Sequence, residues 1–136
     1  MANTRPPTPL YKKLGITDHS EILVLNPPKR YTDFFMDFPA HVVIHETGDH
    51  QEVGFIHIFV STMEELEHFY AVAKTSLARH GTLWISWPKK ASGIKTELDK
   101  FTIMAYGVKN GLVDTKVAAI DKNWSGHKFV YRVKDR

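Results

Sequence analysis

The sequence predicts a single three-layer αβα domain built on a mostly parallel sheet of about six strands, and three observations carry that expectation. Apolar, β-favouring runs of strand length recur along the chain, as EILVLN at 21–26, GFIHIFV at 54–60 and TLWISW at 82–87. They are apolar on both faces instead of alternating, the pattern of strands covered from both sides. Amphipathic segments separate the later runs, and this alternation favours parallel, right-handed connections with helices on both faces. The last two strand segments, 115–120 and 128–133, are joined only by DKNWSGH. That is too short for a crossover, so the sheet closes on an antiparallel hairpin.

Each element has its own signal. Residues 1–9 are rich in Pro and Thr and predict a loosely held arm. Residues 10–14 fit one helical turn closed by Gly15. The first strand stops at Pro27 and Pro28. Phe34, Phe35 and Phe38 then fall at helical spacing, predicting a short helix over 31–38 before a second strand at 42–46. Only residues 47–53 separate that strand from the third, too few for a crossover helix. Because the third strand is apolar on both faces and a helix follows it, an extended return is favoured over a hairpin. Thr62 and Glu65 form a capping box, Met63, Leu66, Tyr70, Ala73 and Leu77 form one stripe, and Gly81 stops the helix. A further helix is expected over 96–110, with Leu98, Phe101, Ala105, Val108 and Leu112 on one face and Gly111 as its stop. Gly107 inside it costs about 1 kcal/mol relative to Ala, which predicts close packing against the sheet or an early fray.

Composition removes several classes of function. With 136 residues, 43% hydrophobic and 24% charged, the chain has a globular make-up and buries enough surface to fold without staples. The absence of Cys excludes disulfides, thiolate zinc and cysteine catalysis, and fits a reducing compartment. No run approaches the ~18 apolar residues of a membrane span, and the N-terminus lacks the apolar core of a signal peptide, so no membrane partner and a cytoplasmic location are expected. The net charge of +3 is too small to imply nucleic acid by itself. Its distribution is uneven: the Lys and Arg after residue 85 are opposed only by Glu97, Asp99, Asp114, Asp121 and Asp135.

The segments KLGI, VLNPP, SWPKKASG and AIDKNWSGHKFVYRVKDR together resemble a small bacterial family, domain of unknown function 3052, over nearly the whole chain. A parallel sheet ending in an antiparallel hairpin also resembles the class I methyltransferase variant of the Rossmann fold. The resemblance implies a compact methyltransferase-like domain and supplies no catalytic residues. Methyltransferases of that class end their first strand in an acidic residue and a Gly-rich turn, which lets the backbone approach S-adenosylmethionine. This chain has Asn26, Pro27, Pro28, Lys29 and Arg30 there. Proline lacks an amide proton and fixes φ, so the loop does not reproduce a glycine cradle. Glu46 at the end of the second strand is the residue type that holds ribose hydroxyls in such folds, and is equally explained as a solvent-facing strand end. No resident cofactor is expected, with S-adenosylmethionine the one left open. NPP also resembles the NPPY signature of amino-group methyltransferases, but Lys29 and Arg30 separate Pro28 from Tyr31 and the strand stands first instead of fourth.

If the first, third, fourth and fifth strands run parallel, residues 26–30, 61–62, 87–93 and 121–126 emerge at one rim, beyond the carboxyl ends where open α/β sheets bind ligands. The candidate ligand-binding residues are therefore Asn26, Thr62, Trp87, Lys89, Lys90, Ser92, Asp121 and Trp124. The amino end of the Thr62 helix and the two lysines offer positive charge to an anion, and Trp87 or Trp124 a ring for stacking. The alternative is that Asp121, Trp124 and Lys89 bond to each other and lock the loops, with Trp124 packed on Pro88 or Lys90. His41 and His45, four apart on a strand, stand roughly 13 Å apart, too far to share a metal ion. His45, Glu46, Asp49 and His50 converge only if the loop folds back, so a surface cluster is favoured and no metal is expected. His57 reads as a hydrogen-bonded core histidine. Ser86 and Ser92 lack a GxSxG elbow and no Walker A loop is present, so no catalytic residue is nominated. The expected function is a non-catalytic methyltransferase-like module that binds a partner protein or small anionic ligand at the rim. The alternatives are an atypical S-adenosylmethionine-dependent methyltransferase, or nucleic-acid binding through the late lysines and tryptophans.

Overall fold

The computed structural model describes residues 7–136, so most of the arm expected over residues 1–9 lies outside the described residues. Helix α1 (Leu10–Leu14) precedes strand β1 (Glu21–Leu25), followed by β2 (Val43–His45), β3 (Val53–Phe59), α2 (Met63–Ser76), β4 (Leu77–Pro88), α3 (Lys100–Lys109), β5 (Leu112–Ala119) and β6 (Trp124–Tyr131). The six strands form one sheet in the order β2-β1-β3-β4-β6-β5. Strands β1 to β4 pair in parallel, whereas β6 is antiparallel to both β4 and β5. Strand β5 therefore points the same way as β1, β3 and β4, as the rim argument requires.

The extended return between β2 and β3 is what the chain adopts: each pairs in parallel with β1, on opposite sides. The linker presses against α2, and a Cβ on Gly48 would stand 2.3 Å from Val72 Cγ1. One core cluster, including Leu66, Tyr70, Ala73, Ile103 and Phe129, lies under α2 and α3. The other contains Leu14, Tyr31, Phe34, Phe59, Trp84 and Trp124, under α1 and residues 31–38. Both crossover helices thus share one face, and α1 is the helix of the other. It is docked by Trp84, whose Nε1 donates to Leu14 O at 3.0 Å, and ends at Gly15 in the left-handed region, φ 92°. Burying side chains such as Trp84, Phe59 and Phe129 completely stabilises the fold by roughly 1.5–3 kcal/mol each.

Several boundaries differ from expectation for identifiable reasons. The helix expected over 31–38 is only a 3-10 turn at Tyr31–Phe34, after which Phe35 is extended. Its aromatic side chains instead pack on one another as an irregular strap, with Tyr31–Phe35 centroids at 5.1 Å and Phe35–Phe38 at 4.9 Å. Helix α2 stops at Ser76, not Gly81, because Leu77 pairs with Val53 and enters the sheet. Helix α3 begins at Lys100, where Asp99 caps it by accepting from Thr102 N at 2.8 Å. Strand β6 starts at Trp124, so this tryptophan belongs to a strand and not to the hairpin loop.

The two sheet margins are unlike. Strand β2 has three residues. Strand β5 has eight, mostly exposed, with a register shift between Asp114 and Lys116 that marks a bulge.

Candidate functional site

The carboxyl ends of β1 and β3 are joined by one side chain. Asn26 takes the left-handed conformation, φ 58°, which Asn tolerates better than other non-glycine residues. Its Nδ2 donates to Phe59 O at 2.9 Å and to Glu65 Oε2 at 3.2 Å. The other carboxylate oxygen, Oε1, accepts from Ser61 N at 2.8 Å and Ser61 Oγ at 2.9 Å. Glu65 N in turn donates to Thr62 Oγ1 at 3.1 Å. The expected capping box is present, with the carboxylate reaching one residue further back, to Ser61. Burial opposes the Glu65 charge, but the bonds from Ser61 and Asn26 outweigh it and hold the carboxyl below its ordinary range. Because β1 is flanked by β2 on one side and β3 on the other, this is the reversal point of the sheet, where such folds open a ligand crevice. Here the Asn26–Glu65–Ser61 bridge spans it.

The amino end of α2 is also occupied. Met63 N donates to Glu97 Oε1 at 2.6 Å, and Thr96 Oγ1 donates to Ser61 O at 2.6 Å. A carboxylate from the β4–α3 connection thus stands where an incoming anion was expected. Glu97 was not nominated from the sequence; its partner is 34 residues away and no local pattern marks it.

Most of the remaining candidates are tied into local turns. Lys89 N donates to Asn123 O at 2.8 Å. Ser92 Oγ donates to Lys89 O at 2.7 Å and accepts from Ile94 N at 3.0 Å. The Lys90 side chain is exposed. Asp121 Oδ1 accepts from Asn123 N and Trp124 N at 2.8 and 2.9 Å, and its Oδ2 lies 3.7 Å from Lys29 Nζ. Lys29 Nζ sits 4.5 Å above the Phe34 ring, so the β1 loop, strap and hairpin turn are tied together. Neither tryptophan is presented for stacking. Trp87 is 6% exposed on the α2/α3 face and Trp124 8% exposed on the other, edge-on to Phe59 at 5.4 Å. Trp124 is the Cα partner of Pro88, the neighbour expected for it. Glu46 is exposed just beyond β2; since His45 pairs with Leu23, it stands level with Val24, short of Asn26.

A cavity borders the bridge at Ser61, and another lies on the strap side. One of about 250 Å³ is lined by Ser61, Thr62, Lys95, Thr96 and Glu97. A larger one of about 400 Å³ lies among Leu10, Lys13, Phe34, Met36, Asp37 and Ile120. Neither is lined by Asn26, residues 27–30 or Glu46. The second was not foreseen, because it exists only through the irregular course of the strap.

Two histidine readings are resolved by geometry. His57 is fully buried, with Nδ1 2.7 Å from Tyr31 Oη and Nε2 2.7 Å from Ser86 Oγ. Burial lowers its pKa to about 3, so the ring is neutral and each nitrogen meets one hydroxyl in either tautomer. Ser86 is equally buried, so this is a core network with no nucleophile at a surface. The loop after β2 does fold back, stacking His45 on His50 at 3.7 Å. Among the described residues, however, no three His, Asp or Glu side chains are placed to hold a metal ion, and no helix is long and apolar enough to cross a membrane.

No family model and no curated protein matches the sequence. Solved structures do match in fold. A Sulfolobus solfataricus protein assigned to the type 11 methyltransferases superposes with a TM-score of 0.60 at 14% identity, covering 95% of this chain and 93% of its own. Fibrillarin, solved in complex with Nop5p, gives 0.56 at 10% identity over 84% of this chain and 73% of its own. The DhpI–SAH complex gives 0.56 at 9% identity over 84% and 78%. At these identities the likeness establishes a methyltransferase-like, Rossmann-type α/β fold.

Proposed function

We propose that this chain is a non-catalytic methyltransferase-like module whose rim receives a partner protein or a small anionic ligand. The observation that carries the reading is the bridge at the reversal point of the sheet, where Asn26 joins Phe59 and Glu65 beside a loop containing Pro27 and Pro28. An adenosyl group would have to displace that bridge and bind a backbone short of two amide protons. The cavity of about 400 Å³, walled by apolar side chains together with Lys13 and Asp37, offers a small ligand with an apolar body a space in which one cation and one carboxylate face it. The motifs SWPKKASG and AIDKNWSGHKFVYRVKDR support placing the chain with domain of unknown function 3052.

The second reading is an atypical S-adenosylmethionine-dependent methyltransferase. It is favoured by the fold match to the Sulfolobus protein and to DhpI bound to SAH, and by Glu46 lying exposed at the end of β2. Thermal unfolding separates the two readings. A working site with micromolar affinity raises stability by about 2.7 kcal/mol when S-adenosylmethionine is at a hundredfold its dissociation constant. The proposal expects no shift. A shift of that size, lost in Glu46→Ala, together with methyl transfer lost on changing Asn26, would establish the enzyme.

A further inference from the structure

We propose that a hollow at the amino-end rim of the sheet, opposite the rim that holds Asn26 and Asp121, binds a small tetrahedral oxyanion of the phosphate type. It forms where the ladder between β3 and β4 breaks. Val53 pairs with Leu77 and Phe55 with Thr82, so β3 advances two residues while β4 advances five. Residues 78–81 therefore leave the ladder as a large bulge, a device that re-aims side chains. Gly81 is buried within it, and a Cβ there would stand 3.0 Å from both Ala78 O and Val53 O. The loop thus closes tightly around a glycine and carries Arg79 and His80 to the surface. From the other side the chain after β6 folds back through a 3-10 turn, Val133–Asp135, and delivers Arg136. Arg79, His80, Gly81, Val130 and Arg136 line one hollow of about 120 Å³.

The positive charge of this hollow is unanswered. Arg79 donates to Asp135 O at 3.3 Å and rests over the Tyr131 ring at 4.8 Å, while Arg136 Nε donates to Tyr131 O at 2.9 Å. These contacts fix both guanidiniums, yet each engages only one of its five N–H donors there. Asp135 meets Arg79 through its main-chain oxygen, and among the described residues no carboxylate stands within ion-pair distance of either guanidinium. Lys74 adds a further cation beside the hollow, its Nζ 5.1 Å from the centre of the same Tyr131 ring. Two arginines free of carboxylates and lining one space are suited to phosphate oxygens, which accept paired N–H bonds from a planar fork. The size points the same way. Pockets for drug-sized bodies take about 300 Å³ or more, whereas this one admits a compact anionic group and leaves whatever bears it in solvent.

The test is an NMR titration of the intact, isotope-labelled chain with inorganic phosphate at constant ionic strength. Saturable shifts should centre on the amides of Arg79, His80 and Gly81 and on the Nε–H groups of Arg79 and Arg136. Acetate, planar and singly charged, should bind more weakly. Arg79→Gln and Arg136→Gln should each weaken phosphate binding by about tenfold or more, the worth of one charge-assisted hydrogen bond. Arg79→Lys keeps the charge without the fork and should recover part of the loss. Lys12→Ala removes a cation that does not line the hollow and should bind as the parent does. Arg79 also holds the tail through Asp135 O, so urea unfolding checks each variant, and Arg136→Gln decides should Arg79→Gln lose the fold. Phenyl phosphate separates the sources of the anion: binding at least as tight as that of inorganic phosphate assigns the hollow to an esterified phosphate, and weaker binding to the free ion. The proposal is overturned by absence of saturable shifts at millimolar concentrations of both phosphates, by equal binding of acetate, by unchanged affinity in Arg136→Gln, or by a loss in Lys12→Ala.

Discussion

Replacing Asn26 tests the bridge and its backbone separately. In Asn26→Ala two costs add: an alanine at φ 58° is strained by roughly 1–2 kcal/mol, and loss of the part-buried bond to Phe59 O removes about 1 kcal/mol, while water replaces the exposed bond to Glu65 at little cost. In Asn26→Gly the conformation is free of strain and the second cost remains. The alanine variant should therefore be destabilised by roughly 2–3 kcal/mol and the glycine variant by about 1 kcal/mol, with each kcal/mol lowering Tm by about 3–5 °C for a domain of this size. Urea unfolding with a common m-value, checked by calorimetry, measures both. Equal losses in the two variants would refute the backbone argument, and an unaffected glycine variant would refute the bridge. Neither should acquire stabilisation by S-adenosylmethionine, because Pro27 and Pro28 still withhold their amides.

Two further substitutions and a pH profile follow. Gly107→Ala gains about 1 kcal/mol of helix propensity, but the new Cβ would lie 2.3 Å from Phe129 Cε2. Overpacking at about 1–3 kcal/mol should make the variant net destabilised in urea titration, and a more stable protein would contradict the contact. His57 has a folded pKa of about 3, below the ~6.5 of an unfolded histidine. Between these values the unfolded chain binds more protons, so stability present above pH ~6.5 is lost on acidification, by about 1.4 kcal/mol per unit. His127, whose pKa burial also lowers despite Asp114, acts in the same direction. His57→Gln should flatten the profile between pH ~6.5 and ~5, and an unaltered slope would show that the buried ring is not responsible.

The strands were legible because a sheet buried on both faces writes itself as uninterrupted apolar runs, and EILVL and VGFIHIF are such runs. Leu77 was misjudged because it satisfies the helical stripe and the sheet equally well; pairing with Val53 decides, and that partner is distant in sequence. The phenylalanines of the strap have helical spacing yet pack on one another without a helix, since two prolines precede them and another, Pro39, follows. At the rim the loops were placed correctly, because strand direction alone determines where they surface. What occupies the rim was not legible: Asn26 with Glu65, and Met63 with Glu97, are contacts between segments more than thirty residues apart. The cross-strand pairing of Lys116 with Lys128 likewise depends on the bulge in β5. In a regular ladder that kept Thr115 in register, Lys116 would stand opposite His127 and project to the other face.

The same bulge governs how the molecule tolerates crowding by its own copies. An unpaired strand of eight residues is a template on which another chain can crystallise into cross-β aggregates. A kink at Thr115 flanked by an acid and a base breaks the row of free amides midway. At the opposite margin three residues offer a newcomer too little purchase. Restoring a straight margin by deleting Thr115 should therefore make the protein more prone to fibril growth at high concentration.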